Sequence, residues 1–312
     1  MLLYKSRDFS AYFQDTFAFL KENGKHYFKH FFIINGIFLL ILMIIGYFST
    51  KFYTDILFGG IIQNNPNVMD DYMNNNLGLF LLLTFVFVIV GLIAGIISYS
   101  YTAIYLRLYN QNDNTSFNTK HIINSYKSNL GKLFIFLISG ILIGIPLLLV
   151  AGIVSFILTI TLIGILMLPL VIGLFSLLYN MTLMEYLDNK KGIWDCFGYA
   201  WSLIRSKFWA AIGSVGLFFL ISYIIQNVIT IIPYLFGMAS LFSTIETGTP
   251  NTQEISSTMT ILMLVVFFLT FFVSIVLSNI VQLNQGIVYY SLKEDRENIN
   301  TKSIIDQIGS GE

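Results

Sequence analysis

Five stretches of this chain carry no charged residue at all, at 31–50, 77–106, 133–184, 208–245 and 255–292. A helix of about 20 apolar residues crosses the roughly 30 Å hydrocarbon core of a bilayer, so each stretch is long enough to span one. The stretch from Leu133 to Met184 is about twice what one crossing needs, which predicts a tight hairpin turning between Ser155 and Leu162. The pattern therefore predicts six spans, at about 31–49, 77–105, 133–156, 160–184, 208–236 and 259–290. Lipid offers backbone N–H and C=O groups no partner, so each span should be an α-helix. The alternation that marks a membrane barrel is not seen.

Polar positions are patterned just before alternate spans. Phe9, Phe13, Phe17 and Leu20 recur at helical spacing ahead of the first, with Gln14, Asp15, Lys21 and Glu22 around the rest of the turn. Ile122, Ile123, Tyr126 and Leu130 form a similar stripe ahead of the third, and Ile193, Phe197, Trp201 and Ile204 ahead of the fifth. Asn23 with Gly24 supplies residues that end helices, and the KSNLGKLF stretch leads into the third span. The expected fold is an all-α integral membrane protein of six transmembrane helices arranged as three hairpins. Each hairpin is preceded by an interfacial amphipathic helix in the cytoplasmic headgroup layer. One membrane domain covers 1–292, and 293–312 is a short cytoplasmic tail.

Charge settles the expected orientation. Of the 17 lysines and arginines only Lys51 falls on one side of the predicted membrane; the rest gather before span one, after spans two and four, and after span six. Basic residues near span ends are retained in the cytoplasm, so both termini are expected there. The opposite loops carry Asp55, Asp70, Asp71, Glu246 and Glu254. Composition agrees: 56% of residues are apolar and only 11% charged, against about 25% charged in soluble domains. The single Cys196 excludes an internal disulfide framework. Residues 1–30 lack the short apolar core and cleavage site of a signal peptide. The zero net charge gives no reason to expect a nucleic-acid partner.

The stretch YLDNKKGIWDCFGYAWSLIRSKFWAAIGSVGLFF, from Tyr186 to Phe219, resembles the corresponding segment in the membrane domain of glycerophosphodiester phosphodiesterases and in related uncharacterised bacterial six-span families. VYYSLKEDRENI, at the end of span six, is similar to the aromatic and basic exit of those domains. The resemblance implies a six-span fold in a bacterial inner membrane. It implies no phosphodiesterase activity, because in those enzymes hydrolysis resides in a separate soluble barrel that has no counterpart here.

Candidate chemistry is sparse. No Asp, Glu, Lys, Arg or His lies inside a span core, where pumps and ion-coupled carriers place such groups. Among the intramembrane amides, Asn35, Asn279, Gln282 and Gln285 could form an inner-leaflet polar pocket, or could simply bond neighbouring helices. Pro146 and Pro169 fall at one depth in the paired third and fourth spans, which points to a hinge or groove there. Gly91 with Gly95, and Gly140 with Gly144, are spaced for close helix packing. His26 and His30 stand four residues apart without a third ligand, so no metal or other cofactor is expected. Asp55, Asp70 and Asp71 could form an outer cation site but read more simply as solvated surface. Cys196 has no nearby His to activate it.

Three functional classes fit unequally. The first is a non-catalytic scaffold or accessory subunit that organises partner membrane proteins or lipids at the cytoplasmic leaflet, motivated by the amphipathic stripes and by Ile304, Ile305 and Ile308 in the tail. The second is a permease or lipid-handling protein that uses the Pro146 and Pro169 hairpin, since uncharged spans suit an apolar or amphiphilic cargo. The third, an intramembrane enzyme, lacks a recognisable nucleophile, carboxylate pair or metal cluster. The bilayer itself is the expected partner.

Overall fold

The computed structural model of the chain describes residues 1–62, 67–112, 114–188, 191–246 and 252–300. It is 91% helical, and its described residues form seven helices: α1 (Phe9–Ile62), α2 (Val68–Gln111), α3 (Thr119–Thr159), α4 (Leu162–Leu187), α5 (Ile193–Ser206), α6 (Phe208–Glu246) and α7 (Thr252–Glu297). All but α5 are long and apolar enough to cross a membrane. The protein is an all-α, multi-pass membrane protein with six spans.

Helix ends follow local chemistry. Asn118 caps α3: its side chain accepts from the backbone N–H groups of Lys120 and His121, while the His121 side chain accepts from the Asn118 N–H. The α3–α4 turn falls where the sequence places it, with the Thr161 hydroxyl accepting from the Gly164 N–H at 3.0 Å. α7 stops because Asn298 takes a left-handed conformation (φ 49°), which few residues besides glycine and asparagine adopt readily.

The amphipathic stretches differ in detail from their sequence reading. The first does not stop at Asn23 and Gly24, because α1 continues through them into the span. The second likewise runs through Gly131, and Asn129 donates back to the Ser125 carbonyl at 2.7 Å instead of ending the helix. A mid-helix glycine costs only about 1 kcal/mol relative to alanine, which hydrogen-bonded turns on both sides offset. The third alone is a separate helix, α5, broken from α6 at Lys207 (φ −135°, ψ 53°). The Lys207 amine is held there by Asp295 at 2.6 Å and by the Arg7 carbonyl at 3.1 Å.

The stripe of α5 also turns inward: Ile193, Cys196, Phe197, Ala200, Leu203 and Ile204 are buried against the protein. Trp194 (59% exposed), Trp201 (40%) and Trp209 (76%), the chain's three tryptophans, project outward together around this junction. Tryptophan prefers the boundary between lipid tails and headgroups.

The chain divides into two compact units. The first comprises Met1–Ile34, Ile96–Ile221 and Ser278–Glu312, and the second Asn35–Gly95 and Ser222–Leu277. The first unit holds the whole α3–α4 hairpin and α5, with α3 on α4 and α4 on α5. Its core is rich in tyrosine; the rings of Tyr27, Tyr101 and Tyr105 lie with centroids 4.9–5.8 Å apart. α4 and α6 approach closely, where a Cβ on Gly173 would meet the Gly216 backbone nitrogen at 3.1 Å. The second unit has its own packing: a Cβ on Gly46 would collide with the Phe267 ring, and the Thr54 and Thr260 hydroxyls meet at 3.1 Å. At Gly91 and Gly95, by contrast, an added Cβ would meet nothing within 4 Å.

Candidate functional site

The first unit carries a groove of about 630 Å³ between α3 and α4, with one wall from Tyr99 of α2. It lies within the roughly 300–1,000 Å³ of small-molecule sites. Gly140 and Gly144, one turn apart on α3, leave room for Tyr179 of α4 to lie across them. The Tyr179 hydroxyl donates to the Gly140 carbonyl at 2.8 Å, and a Cβ at Gly144 would come within 3.2 Å of its oxygen. Phe136 stacks on Tyr99 with centroids 6.0 Å apart and meets Tyr179 edge-on at 6.4 Å. Phe197 of α5 supports Tyr179 from behind at 5.6 Å.

The groove is chemically polarised. One end is aromatic and hydroxylated, lined by Tyr99, Phe136, Ser176 and Tyr179; the other is mainly aliphatic, with Ile145, Leu148, Ala151 and Ile172, and one hydroxyl residue, Ser155, past Ala151. Pro146 interrupts α3 between these parts. Having no N–H, it deprives the Leu142 carbonyl of its usual helix donor. Pro169 sits in α4 just before Val171 and Ile172 of the lining. The Tyr99 hydroxyl is buried without a hydrogen-bond partner. Ser176 accepts from the Gln285 amide at 2.7 Å, and the Gln285 oxygen is likewise buried and unpaired. Buried polar atoms normally find partners, so these mark a place where a polar group from outside the chain would be welcome.

One turn from Phe136 toward the start of α3 stands Lys132. Its amine donates to the Tyr186 carbonyl and lies 4.7 Å from the centre of the Tyr186 ring. No carboxylate of the described residues stands within ion-pair distance of it. The neighbouring carboxylates are engaged elsewhere. Glu185 and Lys293, 1% and 2% exposed, pair at 2.8 Å. Lys293 also reaches Asp188 at 3.0 Å, Lys191 reaches Glu185 at 3.0 Å, and the Tyr289 hydroxyl donates to Glu185 at 2.8 Å. The Tyr199 ring lies between Lys191 and Arg296, and its hydroxyl bonds Glu297. The two segments singled out in the sequence, Tyr186–Phe219 and the exit of α7, thus meet in one buried ionic cluster.

Sequence reasoning missed this cluster because Glu185 and Lys293 fall just outside the charge-free stretches and read as solvated span ends. The readable signal was their helical register: Glu185 and Asp188 are one turn apart, as are Tyr289 and Lys293.

The amides singled out from the sequence go to several places. Asn279 accepts from the Tyr27 hydroxyl at 2.8 Å and Gln282 from the Thr102 hydroxyl at 3.0 Å, and those two hydroxyls bond each other at 2.6 Å. Gln285 joins the groove through Ser176 instead. Asn35 is fully buried and belongs to the second unit. His26 and His30 tie α1 to the start of α3: one His26 nitrogen meets the Phe117 carbonyl at 3.0 Å, and His30 meets the Thr119 hydroxyl at 2.6 Å. Burial pushes the Cys196 thiol up to about 11, so little of the nucleophilic thiolate forms at neutral pH. The side chains of Asp55 and Asp71, and the tail residues Ile304, Ile305 and Ile308, lie outside those described.

Comparisons with protein-family models, with curated proteins and with solved structures return no match for this chain.

Proposed function

We propose that this protein is a non-catalytic lipid-binding component of a bacterial inner membrane, with both termini in the cytoplasm, and that its α3–α4 groove holds the hydrocarbon chain of a membrane lipid. The observation that carries the reading is the groove itself: a lipid-accessible cleft in a chain whose natural solvent is hydrocarbon, aliphatic at one end and hydroxylated at the other. An alkyl chain suits its walls better than an ion would, since no charged side chain lines it. The relationship to the membrane domain of glycerophosphodiester phosphodiesterases, resting on Tyr186–Phe219, forms part of the same proposal.

The experiment is mass spectrometry of the protein released from its membrane in a mild extractant, comparing lipid retention with that of Gly144→Leu. A leucine there must displace Tyr179 and fill the cleft. Retention should fall by about tenfold, the effect of losing about 1.4 kcal/mol of binding. Gly91→Leu is the control, because that position faces open space. Equal retention in both variants and the wild type would contradict the reading.

A scaffold role has its own support in the outward tryptophans around α5, which suit a helix lying at the headgroup layer where partner proteins could assemble. In that role a stoichiometric protein partner copurifies and no lipid is selected.

A further inference from the structure

Resting on the reading of the groove as a lipid site, we infer that its occupant is an anionic glycerophospholipid, with its phosphate at Lys132, its ester region at Tyr99 and one acyl tail along the aliphatic wall.

Three features of the first unit converge on that chemistry. Lys132 is the cation at the end of the groove stripe, since Lys132, Phe136, Gly140 and Gly144 recur every fourth residue and share one face of α3. It is half-buried, and of the described groups it bonds only a backbone carbonyl. Arg107 and Asp188 both stand within electrostatic reach of it. Asp188, the nearby carboxylate, is shared between Arg107 at 4.0 Å and Lys293 at 3.0 Å. The mouth therefore presents positive charge that the protein's own carboxylates leave uncompensated, and a phosphate would complement it.

Tyr99 supplies the next group. Tyr99 lines the groove and its hydroxyl is buried without a partner, so a small rotation of the ring would offer a donor to a carbonyl oxygen in the cleft. An ester carbonyl accepts that bond without bringing a charge into an apolar site. Beyond it the lining is mainly hydrocarbon, with Ser155 about one turn past Ala151.

The spacing matches a lipid. Phe136, which stacks on Tyr99, is four residues past Lys132, and Gly140 is eight, so these levels lie about 6 and 12 Å further along the helix axis. The headgroup layer on either side of a bilayer is roughly 5–8 Å thick, so a phosphate level with Lys132 puts the ester linkages near Phe136 and Tyr99. The tail then runs past Gly144 toward Leu148 and Ile172.

The test uses the full-length protein in neutral detergent, titrated with phosphatidylglycerol and with phosphatidylcholine carrying identical acyl chains, and read by native mass spectrometry. Wild type should retain phosphatidylglycerol about tenfold more strongly, the lower end expected for a hydrogen bond to a charged group. Lys132→Gln, which can still donate to the Tyr186 carbonyl, should erase the preference by weakening phosphatidylglycerol far more than phosphatidylcholine, whose phosphate is already offset by its own choline cation; Lys132→Arg should keep it. Tyr99→Phe should weaken ester-linked phosphatidylglycerol several-fold and leave an ether-linked analogue unaffected. Retention of both lipids without preference in wild type, or a preference that survives Lys132→Gln, would overturn the headgroup assignment and leave the tail site standing. Loss of neither lipid on Gly144→Leu would overturn the groove reading, and this inference with it.

Discussion

At the scale of single residues, the most consequential side chains are charged ones that stand just beyond the charge-free stretches of the spans. Glu185 and Lys293 are as buried as core leucines and are held by Tyr289, Asp188 and Lys191. Removing one partner of such a pair leaves an uncompensated buried charge, a loss of about 3–5 kcal/mol, whereas removing both can be nearly neutral. Lys293→Met alone should therefore lower the unfolding free energy in detergent micelles by about that amount, and Glu185→Gln with Lys293→Met together by clearly less. Denaturant titration followed by circular dichroism measures both. A single variant that loses under about 1 kcal/mol would show that the cluster is solvated surface. Beyond the helical register of Glu185 with Asp188 and of Tyr289 with Lys293, little of this was legible from the residues, because a charge just beyond an apolar stretch looks the same whether it meets water or a partner from a helix a hundred residues away.

Among the elements, the spans were readable because the bilayer imposes their length and composition, and the α3–α4 turn because 133–184 is too long for one crossing. Their continuity was not. Asn and Gly end helices when solvent or a cap competes for the backbone, yet here Asn129 bonds back into its own helix and Gly131 stays within it. Gly131 faces open space, so Gly131→Ala should stabilise the protein by about 0.5–1 kcal/mol, seen as a higher melting temperature. A glycine required at a break would instead resist substitution. The converse holds at Gly216, where a Cβ would come within 2.6 Å of Leu170. Gly216→Val should force α4 and α6 apart and lower the melting temperature. Close packing was expected from spacing at Gly91 with Gly95 and at Gly140 with Gly144: a Cβ at either of the first pair would meet nothing within 4 Å, the second pair takes Tyr179 of α4, and a further close approach occurs at Gly173 and Gly216, which share no sequence motif.

For the whole molecule, location in a membrane follows from composition, and the functional proposal from the cleft between α3 and α4. The sequence pointed toward the α3–α4 hairpin through Pro146 and Pro169, but the walls of the cleft come also from Tyr99, and its supporting ring from Phe197 of α5, neither near the prolines in sequence. Its polar end depends on tertiary placement: Gln285 reaches Ser176 across 109 positions of the chain. The most direct test of the central claim is to bind the purified protein to a phospholipid carrying a photoreactive diazirine midway along one acyl tail, irradiate, and map the labelled peptides. Labelling should concentrate on the stretches containing Ile145 to Ala151 of α3 and Val171 to Phe175 of α4, and Gly144→Leu should suppress it. Labelling spread evenly over the lipid-facing residues of all six spans, unchanged by that substitution, would contradict a lipid site in the groove.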